Sequence, residues 1–182
     1  MRRKALILSG VGLALTASAA IAAAVPSPEL GRTPSAAELA AIDISIPSDG
    51  RGLPAGSGSA EQGAAVYAAK CQVCHGANGV GGPNDRLTGG VGTLATPKPV
   101  KTIASYWPYA TTVFDYVRRA MPLTAPQSLS NDEVYAVTAY LLSIDGIVGK
   151  DAVMDAKTLP SVRMPNREGF VSWEPKERPK AR

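Results

Sequence analysis

The chain has 182 residues, of which 45% are hydrophobic. This is enough for one domain with extensions and leaves little room for a second. Its 19 basic and 15 acidic residues give a net charge of +4, but Arg2, Arg3 and Lys4 supply three of those positive charges. The remainder of the chain is nearly neutral, which argues against a nucleic-acid-binding protein. The 18 glycines and 15 prolines predict long irregular connections.

Residues 1–24 are patterned as an export signal. Three basic residues precede an apolar segment over 5–16, and small residues follow, with cleavage expected after Ala19 or Ala24. The alternative is an uncleaved anchor, because residues 5–25 carry no charge and could just span a bilayer. We expect export, and membrane attachment only if the signal is not cut.

The remaining chain predicts helices joined by loops. Capping boxes, formed by Ser59 with Gln62 and by Ser130 with Glu133, mark two helix starts. No convincing strand alternation is present, so we expect an all-α fold. The predicted helices span residues 34–41 (N-cap Thr33 or Ser35), 59–70, 112–120 and 131–144, and Gly146 is the predicted C-cap of the last.

Five consecutive residues carry the chemistry: Cys71, Gln72, Val73, Cys74 and His75. Two thiols one helical turn apart can each form a thioether with a haem vinyl group, and the adjacent histidine then donates an axial nitrogen to the iron. The motif predicts one covalently attached haem c, with Cys71 and Cys74 as attachment points and His75 as an iron ligand.

Three other uses of these cysteines are disfavoured. A closed structural zinc site needs four ligands, and the chain has two cysteines and one histidine. A thioredoxin-like redox pair belongs to a βαβ context, whereas this motif follows a helix and precedes a glycine-rich loop. A disulfide between residues three apart would close a very small loop and stabilise little.

The sixth iron ligand is expected to be a methionine, because His75 is the only histidine. Met121 is the best candidate, since it follows a predicted helix, precedes Pro122 and stands in a loop before the last helix. Met164 lies in the tail and Met154 has no distinguishing context. Either could simply pack in the core.

Weaker predictions concern the surroundings of the haem. Gly63 would allow another helix to approach closely, with Tyr67 on the same helix face. Pro83 or a neighbour could offer a backbone carbonyl to the His75 ring N–H. The aromatic residues Tyr106, Trp107 and Tyr109 could hydrogen-bond the haem propionates or could equally be core residues with polar tips.

Over residues 59–146 the chain resembles class I cytochrome c. The resemblance rests on the helix that ends in the haem motif, the Met121-Pro122 loop and the final helix, and Gly63, Tyr67 and Tyr140 match the family's helix crossing. It implies three main helices around one haem. Four regions follow: a signal at 1–24, an N-terminal extension at 25–58, the cytochrome domain at 59–146 and a C-terminal tail at 147–182.

A narrower resemblance extends into both extensions. The chain is similar to the cytochrome subunit of bacterial sulfite or sulfane dehydrogenases, in which a molybdenum-cofactor subunit oxidises the sulfur compound and the haem subunit takes the electrons. This resemblance implies periplasmic electron transfer from a molybdenum subunit to a downstream cytochrome or oxidase. It is carried by residues 49–58, 105–110, 118–122 and 164–170.

Two other functions remain open at this point. The protein could be a free periplasmic shuttle to a terminal oxidase, or a haem enzyme or sensor with an open iron position. The shuttle needs six-coordinate iron, whereas the enzyme or sensor needs Met121 not to bind. We expect segments 26–58 and 147–182 to be ordered by contact with the domain or with a partner, and to help form a docking interface.

Overall fold

The structure is a computed structural model that describes residues 30–171. The predicted signal at 1–24 and the last part of the tail, residues 172–182, lie outside the described residues. In the described part of the chain, no helix is long and apolar enough to cross a membrane. The chain divides after Ala40, and the unit from Ala41 onward contains the haem motif.

The predicted long helices are present, with small shifts at their ends. Ser35 is the residue that caps the first helix, because its Oγ accepts a hydrogen bond from the Glu38 N–H. Two short helices, α3 and α4, were not predicted. The helices of the described residues are α1 (Ala36–Ile42), α2 (Ala60–Lys70), α3 (Gln72–His75), α4 (Ile103–Tyr106), α5 (Ala110–Ala120) and α6 (Asn131–Ile144).

Helices α2 and α6 cross at Gly63, as the sequence predicts. A Cβ on Gly63 would lie 1.9 Å from the backbone oxygen of Ala136, so a larger residue would push the helices apart. The Tyr67 and Tyr140 rings meet beside this contact, with centroids 5.2 Å apart. The crossing fixes the end of α2, from which the haem motif continues.

The predominantly helical fold predicted from the sequence is present, with the addition of two short strands. Strands β1 (Ser57–Ser59) and β2 (Val153–Asp155) form an antiparallel pair in which Gly58 lies opposite Met154. Strands of three residues are too short for a recognisable alternation, and their pairing joins segments that are distant in sequence. The sheet attaches the tail to the start of α2.

The described part of the tail belongs to the domain core. Leu159 and Met164 are fully buried, and Met154 is 5% exposed. They share one hydrophobic cluster with α5 and α6, where the rings of Phe114 and Tyr135 lie 4.5 Å apart. The tail therefore has its contacts with the domain itself, which is one of the two arrangements expected from the sequence.

Candidate haem-binding site

The haem motif begins where α2 ends. The capping box of Ser59 and Gln62 starts α2, and the Cys71 N–H closes it with a 2.9 Å bond to the Tyr67 carbonyl. Helix α3 then continues the motif, and the His75 N–H donates to the Cys71 carbonyl over 3.0 Å. Cys71 and Cys74 are thus held about one helical turn apart.

Both cysteines are free thiols, and each is half-buried. Burial raises the pKa of the Cys71 thiol, although the nearby Lys70 charge acts in the opposite direction. A reactive redox cysteine needs a lowered pKa. The Cys71 thiol therefore lacks the lowered pKa of a reactive cysteine. The motif also follows helix α2 and precedes a glycine-rich loop, so it lacks the βαβ context of a thioredoxin-like pair.

The ring of His75 is oriented by a backbone carbonyl. Its Nδ1 lies 2.9 Å from the carbonyl oxygen of Asp85. A neutral imidazole with its proton on Nδ1 donates to this oxygen, which leaves the Nε2 lone pair for a metal. The sequence pointed to Pro83 or a neighbour for this role, and the acceptor lies two residues beyond Pro83.

The glycine-rich loop after His75 folds back onto the motif. A Cβ on Gly82 would lie 2.2 Å from the Cys74 carbonyl oxygen, so the loop can approach this closely only without a side chain. The same Cys74 oxygen accepts a 2.9 Å bond from the Asn84 N–H. These contacts place the next residue, Asp85, at the His75 ring.

Tyr67 ties the end of α2 to the same loop. Its hydroxyl donates to the Gly76 carbonyl over 2.9 Å. Burial raises the pKa of Tyr67 to about 12, so the hydroxyl keeps its proton at neutral pH. This bond joins Tyr67, which precedes the haem motif, to Gly76, which directly follows it.

Met121 stands directly after α5. Its N–H closes the helix with a 3.0 Å bond to the Val117 carbonyl, and its extended backbone directs the chain into the loop before α6. Its side chain is half-buried against the core cluster. Met164 is 1% exposed and Met154 5%, so both rivals are enclosed by protein and have an evident packing role.

The aromatic residues before α5 are engaged with protein partners. Trp107 contacts Tyr116 edge-to-face at 5.7 Å, the Arg167 guanidinium lies over the Tyr109 ring, and Tyr106 packs on Phe170. Their proposed contact with haem propionates stays a prediction. Two adjoining cavities of about 370 Å³ each lie next to them; both are lined by Leu94, Ala95 and Asn166, and the second also by Tyr106.

The donor set fits a covalent haem. Two free thiols stand at the spacing that two vinyl groups require, and one imidazole is oriented with its Nε2 available. Met121 offers a thioether that the described core does not enclose. When bound, the haem supplies an iron that changes between ferric and ferrous states. The chain's own residues attach it and orient the ligands.

Comparisons with known proteins agree with this site. A model of the cytochrome c family matches residues 60–145. One chain in the crystal structure of the sulfane dehydrogenase SoxCD from Paracoccus pantotrophus is 44% identical, with a TM-score of 0.74, over 80% of this chain and 72% of that chain. The chain belongs to the cytochrome c family. No curated protein sequence matches it.

Membership of the cytochrome c family settles the cofactor and the general function. This cytochrome c carries covalently attached haem c and transfers electrons. The class I architecture predicted from the sequence is confirmed. The sequence predicted that a backbone carbonyl near Pro83 accepts from His75 but did not single out Asp85, because a backbone carbonyl leaves no signal in the residue type. Only the glycines that bring the loop back, such as Gly82, could have indicated it.

Proposed function

We propose that this cytochrome c is the electron-accepting subunit of a periplasmic sulfane or sulfite dehydrogenase. The observation that carries the proposal is the 44% identity to a chain of SoxCD over 80% of the sequence, a span too long for the family domain alone. A molybdenum-cofactor subunit would oxidise the sulfur compound and pass electrons to the haem. A downstream cytochrome or oxidase would then receive them.

Within this proposal, Cys71 and Cys74 hold the haem by thioethers, and His75 and Met121 are the axial ligands. Asp85 fixes the tautomer of His75, and the exclusion of Met154 and Met164 by burial supports Met121. His75 and Met121 would together leave the iron no open position, which suits a group that only exchanges electrons. This coordination disfavours an open-site enzyme or sensor.

The ligation is tested by Met121→Ala, with Met164→Ala as the matched control. Ferric haem bound by methionine has a weak charge-transfer absorbance, and we expect Met121→Ala to abolish it while Met164→Ala keeps it. In both variants the haem stain should remain on the protein band of a denaturing gel, because neither substitution changes the cysteines that form the thioethers. If the charge-transfer absorbance is lost in Met164→Ala and kept in Met121→Ala, the ligand is Met164 in the tail.

The docking surface is proposed to lie beside the haem attachment. Val73, between the two haem cysteines, is 80% exposed, and Leu123, two residues after Met121, is 70% exposed. The core of a protein contact is apolar, so these two side chains are the ones proposed to touch the partner. The chain outside the signal is nearly neutral, so long-range electrostatic steering is not the expected means of association.

The partner is tested by purifying the native protein from its own cells and assaying the eluate for molybdenum. We expect a molybdenum subunit to co-purify, and the pair Val73→Glu and Leu123→Glu to weaken that association at least about tenfold. Val153→Glu is the control, at a valine that is 51% exposed and lies in the tail. A native protein that always elutes as a lone monomer would favour the free shuttle instead.

Deleting the tail is not a clean test of docking. Residues 150–182 include Met154, Leu159 and Met164, which are buried in the domain core. Their removal would damage the fold whether or not the tail touches a partner. Surface substitutions that leave the core intact are therefore the better probe.

The periplasmic location is part of the proposal and rests on residues 1–24. Amino-terminal sequencing of the protein purified from the periplasm should begin after Ala19 or Ala24. A protein that keeps its first residues and sediments with membranes would indicate an uncleaved anchor.

A further inference from the structure

Residues 44–57 of the N-terminal extension are named here the strap. Its first part, residues 44–48, lies along helix α5. Two turns follow, closed by the Gly50 N–H on the Pro47 carbonyl and by the Leu53 N–H on the Gly50 carbonyl. Alternate strap residues bond to successive turns of the helix. The Arg118 guanidinium donates to the Ile44 carbonyl over 3.1 Å, the Ile46 N–H donates to the Asp115 carboxylate over 2.8 Å, and the Thr111 hydroxyl donates to the Ser48 carbonyl over 3.0 Å. The strap therefore runs antiparallel to α5.

The spacing of these bonds follows from backbone geometry. Two extended residues advance about 6.6 Å, close to the roughly 5.4 Å of one helical turn. Strap residues 44, 46 and 48 thus stay in step with helix positions 118, 115 and 111. The bonds form a ladder between a strand-like segment and the side chains of a helix.

Asp115 is the centre of this ladder. It is 8% exposed, and its two carboxylate oxygens accept hydrogen bonds from the Ile46 N–H and from the Arg119 guanidinium. Ile46 itself is 4% exposed and belongs to the core cluster. A buried carboxylate bonded in this way is costly to remove, because its partners are then left without acceptors.

The far end of the strap is fixed to α6. The Tyr135 hydroxyl donates to the Pro54 carbonyl over 2.9 Å, and the Ser57 N–H donates to the Asp132 carboxylate over 2.8 Å. Asn131 adds a 3.2 Å bond to the Ala55 carbonyl. The strap therefore connects the helix that ends before Met121 with the helix that begins after its loop.

The loop between these helices, residues 121–130, is fixed to protein mainly at its two ends. Of its side chains only Leu129 is buried, while Leu123 is largely exposed. Its internal backbone bonds are short-range, such as Ala125 N–H to the Pro122 carbonyl at 2.9 Å. Met121 itself directly follows α5, and its N–H bonds to the Val117 carbonyl in the last turn of that helix. The position of its backbone is therefore set by α5, to which the first part of the strap is bonded.

We infer that the strap is a positioning element for the Met121 ligand, and that Asp115 is its principal residue. This inference rests on the proposed Met121 ligation. The strap holds α5 in place, α5 presents Met121, and the thioether stays at the iron because its helix cannot shift. The N-terminal extension would thus act on the iron ligand Met121 through its bonds to α5.

The experiment compares Asp115→Ala with Asp132→Ala in the ferric holoprotein. Each variant removes one carboxylate that accepts a strap N–H, but Asp115 is on the Met121 helix and Asp132 is on the other. Imidazole competes with a methionine thioether for ferric iron, so its apparent affinity reports how firmly Met121 is held. The readouts are this affinity and the loss of the charge-transfer absorbance.

We expect Asp115→Ala to raise the apparent imidazole affinity about tenfold, from the lost charged hydrogen bonds, and Asp132→Ala to change it less than about twofold. Equal shifts in the two variants, or no shift in either, would overturn the inference. If Asp115→Ala does not fold, Thr111→Val is used instead. It removes the hydrogen bond from Thr111 to the Ser48 carbonyl and keeps the volume of the side chain. It should shift the affinity in the same direction, and an unchanged affinity would count against the strap.

Failure of the inference is distinguishable from failure of the ligation. If Met121→Ala keeps the charge-transfer absorbance, the proposed ligation is wrong and the inference falls with it. If Met121→Ala loses the absorbance while Asp115→Ala behaves like Asp132→Ala, Met121 is the ligand and only the positioning role of the strap is refuted.

Discussion

The two sides of the haem site are built in different ways. The His75 side is local: its thiols, imidazole and orienting carbonyl all lie within residues 71–85. The Met121 side depends on contacts that are remote in sequence, such as Ile46 with Asp115, which lie 69 residues apart. One side is a short motif with its loop, and the other is assembled by the tertiary fold.

This difference explains what each side can tolerate. A local site keeps its geometry as long as the short segment can form its turns. In a site assembled from distant segments, weakening a remote contact can shift the side chain that this contact positions. We therefore expect substitutions far from Met121 in sequence to alter its side of the haem, and substitutions that alter the His75 side to lie within its own loop.

The largest effect is expected for Met164→Ala in the tail. Met164 is fully buried, and removing such a side chain costs about 3 kcal/mol of unfolding free energy through the cavity that remains. Thermal or denaturant unfolding of the holoprotein measures this loss. Because the tail is remote from the motif in sequence, a loss this large would show that distant segments stabilise the domain.

The control is Val153→Ala, at a tail position that is half-exposed. It should change the free energy of unfolding much less, since the alanine leaves no enclosed cavity. Similar losses in both variants would contradict the burial of Met164.

The local side was largely predictable from the sequence, and the remote side was not. The spacing of Cys71, Cys74 and His75 encodes its own geometry, and Ser59 and Ser130 mark helix starts through bonds that reach only three residues. The role of Asp115 has no such signal, because its strap partner is a backbone N–H whose position depends on the whole fold. The β1–β2 pair was missed for the same reason.

A second prediction concerns the local side. Gly82→Ala should destabilise the protein by about 2 kcal/mol and broaden or shift the haem spectrum, because the new Cβ would meet the backbone at Cys74. Gly149→Ala is the matched control, since its Cβ would meet only the flexible end of the Asp151 side chain. Unfolding curves and absorbance spectra of both variants check the expectation. Equal stability of the two would mean that the loop does not lie against the motif.

A third prediction uses pH to test the strap. Burial acts to raise the pKa of the Asp115 carboxyl. Hydrogen bonds from Arg119 and from the Ile46 N–H outweigh this effect of burial and lower the pKa below its ordinary value of 3.8. A lowered folded-state pKa means that the stabilisation is present above the unfolded pKa and is lost as pH falls through the folded value.

Asp115→Asn should therefore unfold about 1 kcal/mol more easily than the native protein at neutral pH. The difference should shrink as the pH falls below 3.8, the ordinary pKa of an aspartate, and should vanish as the pH falls through the lower folded-state pKa of Asp115. Thermal unfolding over this range measures the effect. Asp49→Asn serves as the control, because the Asp49–Arg51 ion pair is exposed and contributes little. A pH-independent difference would show that the Asp115 charge does not matter.

The smallest effect is expected at the residue closest to the His75 ring. Asp85 orients Nδ1 through its backbone carbonyl, and its side chain is exposed. Asp85→Ala keeps that carbonyl, so we expect a change in unfolding free energy below about 0.5 kcal/mol and an unchanged haem spectrum and reduction potential. Equilibrium unfolding and redox titration of the holoprotein provide the test. A shift in potential comparable to the loss of an axial ligand would mean that the side chain, and not the carbonyl, acts on His75. The contrast with Asp115 would then disappear, because an acidic side chain would be needed on both sides of the haem.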